Sequence, residues 1–150
     1  MRPDIKSESA SLQSSIVHDL VFYDGHCGLC HGLVLFVLAR DQEGKNFRFA
    51  PLGGKTFERL ISQERRQTLP DSIVLLSHSG EVYTRSAAII KILSKLDGLW
   101  PLSAKLLSIV PRALNDFVYD LIARVRRKLF ARPEDVCPVI PQHLRSRFCD

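Results

Sequence analysis

Cys27 and Cys30 stand two residues apart in the segment Asp24-Gly25-His26-Cys27-Gly28-Leu29-Cys30-His31. A dithiol that exchanges with disulfides needs one sulfur that attacks and one that resolves the mixed disulfide. Two intervening residues on a first helical turn let the two sulfurs meet. The start of a helix also favours an anion, through free backbone N–H groups and the positive end of the helix dipole. A cysteine placed there can ionise more readily than a free one. Cys27, nearest the helix start, is therefore expected to attack and Cys30, one turn in, to resolve. A protonated His26 would add positive charge beside Cys27. The glycines at positions 25 and 28 are expected to expose the turn.

The same residues carry two other chemistries. Cys27-Gly28-Leu29-Cys30-His31 has the spacing of a c-type haem attachment site. That use calls for an export route and, commonly, a methionine axial ligand, and Met1 is the only methionine. A metal site could use Cys27 and Cys30 with two of His26, His31, Cys137 and His143, with Cys27, Cys30 and His31 as its nucleus. Zinc sites commonly take ligands as two short-spaced pairs. Cys137 and Cys149 are twelve residues apart and do not supply the second pair.

The elements around the motif follow from its flanks. Leu20, Val21 and Phe22 lie in an apolar run over 18–23 that reads as a buried strand, ended by Asp24-Gly25. Residues 27–40 are apolar nearly all round and read as a helix buried on several sides. Phe47, Arg48, Phe49 and Ala50 alternate as a strand does. A helix is expected from Gly53-Gly54 to about residue 67, with Phe57, Leu60 and Ile61 on one face. Ile73 to Leu76 form a central strand. A turn at 78–81 leads into Val82, Tyr83 and Thr84, making a hairpin. Ser86 is positioned to cap the next helix, to about residue 96. Pro101 and Pro111 bracket a short helix. Leu114, Phe117, Val118, Leu121, Ile122, Val125 and Leu129 then form a helical stripe. The order is β-α-β-α-β-β-α with additional C-terminal helices, an α/β arrangement of thioredoxin-like type. The division is an arm over 1–17, a domain over 18–132 with its helical extension, and an irregular tail over 133–150.

Composition bounds the rest. The chain has 150 residues, 45% hydrophobic and 25% charged, with a formal charge of +5. That fits one globular domain rather than a disordered or fibrous chain. The mild excess of cations permits an anionic partner without demanding one. The longest strictly apolar run, 33–39, has seven residues, against about 20 for a membrane span. The polar arm has no apolar core of a secretory signal, so a cytoplasmic, thiol-reducing setting is expected.

With these residues in place, the chain resembles the DCC family of thiol–disulfide oxidoreductases. Tyr23-Asp24-Gly25-His26-Cys27-Gly28-Leu29-Cys30 is similar to the family's Y-D-G-x-C-x-x-C. Phe47 to Leu52, Asp71 to Leu75, Ser86 to Ala88, 119–130 and Cys137-Pro138 resemble its further signatures, so the likeness covers about 19–140. It implies a thioredoxin-like fold and exchange through Cys27 and Cys30, with Asp24 as third signature residue. His31, Arg127 and Ala131 depart from the pattern without touching the sulfurs. The redox-active disulfide itself would serve in place of a cofactor. The expected partner is a disulfide or dithiol substrate, a protein first of all.

Other candidates have plainer readings beside them. Asp24 can shuttle a proton to or from a cysteine, or cap the helix or its own turn. Pro70 precedes the central strand, where thioredoxin-like proteins place a cis-proline facing the cysteines. Asp71 and Ser72 would then lie near the sulfurs. Arg124, Arg126, Arg127, Lys128 and Arg132 read as a solvated face whose cations suit a helix C-terminus. Nucleic acid or anionic lipid is the alternative partner for that face. Poor aromatic interleaving speaks against single-stranded nucleic acid. Cys137 is either a third redox thiol or an inert tail cysteine, and Cys149 is expected to be exposed and incidental.

Overall fold

A computed structural model describes residues 17–129 and 142–149. Strands β1 (Asp19–Tyr23), β2 (Phe47–Pro51), β3 (Val74–Leu76) and β4 (Val82–Thr84) form one sheet in the order β2-β1-β3-β4. β1 and β2 are parallel, in register from Asp19 opposite Phe47 to Tyr23 opposite Pro51. β3 runs antiparallel to both β1 and β4, with Phe22 opposite Val74 and Leu76 opposite Val82. The parallel pair needs a crossover, and helix α1 (Gly28–Arg40) provides it.

Alternation along the strands divides the core into two layers. Val21, Tyr23, Phe47, Phe49 and Leu75 face α1 and helix α4 (Arg85–Ser94). These make the upper core; Leu20, Phe22, Ala50, Val74 and Leu76 face the other way, onto Phe57 and Ile61, and make the lower core. Helices thus cover both faces of the sheet. This is why β1 is apolar at every inner position instead of every second one.

The segment after β2 is two short helices, α2 (Lys55–Leu60) and α3 (Gln63–Thr68), where one was expected. The break has a local cause. The Ser62 hydroxyl accepts the Arg65 N–H at 3.4 Å and caps a new helix. Ile61, left extended, drops its side chain into the lower core. Ser86 likewise does not cap α4. Its hydroxyl donates to Asp116 of the last long helix, and Thr84 holds the cap position without a side-chain bond.

Helices α5 (Trp100–Ile109) and α6 (Arg112–Leu129) follow. Trp100 stacks edge-on against Phe36 at 4.7 Å and anchors α5 on α1. Asn115 donates to the Leu107 and Val110 carbonyls, tying α6 to the end of α5. The apolar stripe of α6 exists but points away from the body: Phe117 is 65% and Leu121 52% exposed. The face turned inward carries Asn115, Tyr119 and Arg126 instead.

The end of the chain is not irregular where it is described. A 3-10 helix (Gln142–Arg147) returns to the edge of the sheet. Phe148 bridges to Phe49, and the Cys149 N–H donates to the Phe49 carbonyl at 2.7 Å. Arg147 lies buried beside Asp41, Nη2 to Oδ2 at 2.5 Å. Cys149 is half-buried against the lower core. Cys137 lies outside the described residues.

Candidate active site

The turn between β1 and α1 is built by Asp24. Its Oδ1 accepts the His26 N–H at 2.9 Å, and its carbonyl accepts the Cys27 N–H at 3.2 Å. Of its two readings, the structure displays the turn-forming one. Cys27 then takes the N-cap position of α1, with extended backbone and no capping side-chain bond. Cys30 follows on the first turn. The two cysteines are free and lie 3.6 Å apart.

Gly25 and His26 are exposed, as the glycines suggested, but the cysteines are not. Cys27 is 4% and Cys30 6% exposed, and both belong to the upper core. Their cover comes from the opposite end of the chain. Arg126 of α6 is buried over the pair. Its Nη1 donates to Cys30 Sγ at 2.8 Å and reaches Cys27 Sγ at 3.8 Å. Its Nη2 meets the Asp71 carbonyl and carboxylate, both at 3.5 Å. Of the basic cluster expected to form a solvated face, Arg124 and Lys128 are exposed, but Arg126 is a site residue.

The loop before β3 completes the enclosure. Pro70 is half-buried, and every peptide bond described, including Leu69–Pro70, is trans, so the cis-proline expectation does not hold. The loop is fixed by other means. The Ser72 N–H donates to the Pro70 carbonyl at 2.8 Å. The buried Ser72 hydroxyl donates to the Ile73 carbonyl and accepts the Arg85 N–H. Tyr119 Oη accepts the Ile73 N–H at 3.0 Å. Asp71 therefore meets the sulfurs through Arg126, and Ser72 serves the loop.

Burial pushes the Cys30 thiol up to about 11; the Arg126 charge pulls it down, and the neighbouring Cys27 adds to the rise. Burial also raises the Tyr119 hydroxyl above the ordinary tyrosine value. Arg126 is itself held more firmly protonated. Burial opposes its charge, but the two sulfurs, Tyr119 and Asp71 together outweigh that. A groove of about 450 Å³ opens beside the pair, between α1, α4 and α6. Leu33, Phe36, Ile89 and Ile122 make it apolar, and Cys30 and Arg126 are its polar end.

Among the described residues, no three His, Cys, Asp or Glu side chains gather as a metal set, and the Arg126 guanidinium stands beside both sulfurs. A second cation there would be opposed by the first. In the sequence the role of Arg126 is masked, because a basic run late in a helix reads as solvated. A signal was present. Tyr119, Ala123 and Arg126 share a face that lies outside the apolar stripe, next to its Ile122 edge.

A parallel-start sheet with a C-x-x-C at the strand-to-helix junction, roofed by a later loop, defines a thioredoxin-like protein with a dithiol centre. The chain belongs to the DCC1-like thiol-disulfide oxidoreductase family, which it matches over residues 21–132. It is 34% identical over 137 residues to the uncharacterized protein YuxK of Bacillus subtilis (strain 168), covering 89% of this chain and 95% of that one. It is 29% identical over 131 residues to a chloroplastic DCC family protein of Arabidopsis thaliana, covering 87% and 76%. No solved structure matches. No helix among the described residues is long and apolar enough to cross a membrane.

Proposed function

We propose that the protein exchanges its Cys27–Cys30 dithiol with a disulfide, and that Cys27 makes the first attack. The observation that carries this is the pair itself, 3.6 Å apart at the start of α1 under a buried guanidinium. Cys27 holds the N-cap of α1, where the helix start favours an anion, and Cys30 lies one turn in, which makes Cys27 the opening nucleophile. Gly25, His26 and Leu29, its neighbours in the chain, are exposed, which leaves the turn that carries Cys27 open to a substrate.

The exchange runs in two steps. The Cys27 thiolate attacks one sulfur of the substrate disulfide. The other substrate sulfur leaves and takes a proton. Cys30 then gives up its proton and attacks the Cys27 sulfur of the mixed disulfide, releasing the second substrate thiol. Substrate gains two electrons, and the pair becomes a disulfide. An external dithiol restores it, and the same two steps in reverse oxidise a dithiol substrate. Arg126 lies within reach of both sulfurs and stabilises whichever is anionic. The pair carries the electrons itself, without a further cofactor, and a thiol-reducing compartment such as the cytoplasm would keep it charged.

Cysteine alkylation across a graded series of dithiol redox buffers tests this, with metal content read on the same sample. The expected result is loss of labelling at Cys27 and Cys30 together, at one potential, in metal-free protein. Cys30→Ser should accumulate a reducible adduct with glutathione disulfide at Cys27, and Cys27→Ser should not. Labelling that stays blocked until a chelator is added would assign the pair to metal instead.

A further inference from the structure

We infer that α6 is an interfacial helix that seats the protein on an anionic lipid surface. Its apolar stripe is not a core stripe. Leu114, Phe117, Leu121, Val125 and Leu129 are 53%, 65%, 52%, 42% and 71% exposed. At 100° per residue these five span an arc of roughly 120°, facing away from Tyr119, with Ile122 at the edge nearer Arg126. On α5 the same inversion occurs: Ala104 is buried, while Leu102, Leu106 and Ile109 are exposed. Apolar surface of this extent, outside a folded core, marks an interaction face.

The charges select the occupant. Lys128 falls within the apolar arc of α6, Arg124 falls at its edge, and both are exposed, as is Lys105 on α5. The two acids of α6 are engaged elsewhere. Asp116 takes the Ser86 hydroxyl and Arg112, and Asp120 pairs with Arg85. The outer face is therefore apolar with cations, on a chain of net +5. A second copy would present the same face, whose two acids are already engaged, and so offers no partner to Arg124 and Lys128. Anionic lipid headgroups would neutralise them while the apolar side chains enter the acyl boundary. The helix, about 27 Å long and heavily charged, would lie on the bilayer and not cross it. Ile122 belongs to both this face and the groove at Cys30, so docking would bring the groove mouth to the lipid.

Flotation of the full chain with lipid vesicles tests this. Vesicles of phosphatidylcholine with about one-third phosphatidylglycerol should carry the protein, and phosphatidylcholine alone should not. Binding should weaken markedly at about 0.5 M salt. The double variant Phe117→Ser, Leu121→Ser should keep its thermal midpoint, since both side chains are exposed, yet lose about tenfold or more in partitioning. Sedimentation of lipid-free protein is the control. A dimer that the same variant dissolves would overturn the proposal in favour of a second copy. A monomer that ignores anionic vesicles would overturn it too.

Discussion

Arg126 Nη1 lies 2.8 Å from Cys30 Sγ, although the two residues are 96 positions apart. The contact places a permanent cation on the dithiol from the last long helix. Its carboxylate partner, Asp71, is exposed and 3.5 Å away, and Arg126 Nε has no hydrogen-bond partner among the described residues. With both sulfurs protonated, Arg126 is a buried charge with weak compensation. Such a group is costly to folding and useful to an anion. Arg126→Met should therefore slow iodoacetamide labelling of the pair at pH 7 by about tenfold or more. Its thermal midpoint should stay level or rise. A lower midpoint with unchanged labelling would make Arg126 a structural residue only.

Tyr119 holds the loop that receives Arg126. Its hydroxyl accepts the Ile73 N–H at 3.0 Å, next to the buried Ser72. Tyr119→Phe keeps the ring and leaves that N–H unmet, a loss of about 1 kcal/mol. The urea midpoint should fall with no change in slope.

Much of this architecture was legible in the sequence, for reasons that particular residues make clear. Leu20 to Phe22 read as a buried strand because both faces of the sheet are covered. Asp24-Gly25 read as its end because that turn bonds locally. The stripe from Leu114 to Leu129 read as a helix but not as an outward face. Periodicity fixes which residues share a side and not what the side meets. Arg126 was illegible for the same reason: its burial depends on Cys30, Asp71 and Tyr119, brought together only by tertiary packing. The break at Ile61 and Ser62 was hidden because a cap and a core position there compete with helix continuation.

Asp19 sets an acid limit on stability. It is 1% exposed, and Lys95 Nζ reaches it at 2.7 Å and His78 Nδ1 at 3.0 Å. Burial pushes its carboxyl up, but Lys95 and His78 together hold it below the usual carboxylate range. A depressed native value means that the ionised form stabilises the fold. That contribution is complete above the unfolded value of about 3.9 and is lost as pH falls through the native value. Asp19→Asn should cost about 2 kcal/mol at neutral pH, less than a fully buried pair because Lys95 is partly solvated. Denaturation followed from pH 6 downward should show the wild-type advantage holding to about pH 4 and shrinking below it.

Arg147 fastens the end of the chain to the sheet. Its Nη2 bonds Asp41 Oδ2 at 2.5 Å and its Nη1 the Asp41 carbonyl at 2.7 Å, with both side chains buried. Asp41 also accepts the Phe47 N–H at 3.1 Å, so one carboxylate joins the end of α1, the start of β2 and the 3-10 helix. Gly44 permits the approach: at φ +63°, a Cβ there would stand 3.3 Å from Arg147 Nε. Arg147→Met leaves a buried carboxylate with only neutral donors, and should cost about 3 kcal/mol. Asp41→Asn in the same chain removes that charge and should restore part of the loss. The 3-10 helix should also become cleavable by limited proteolysis in Arg147→Met while the sheet stays intact. If the variant resists proteolysis as wild type does, the packing of Phe148 on Phe49 and Tyr23, at 5.5 and 6.4 Å, holds the segment instead.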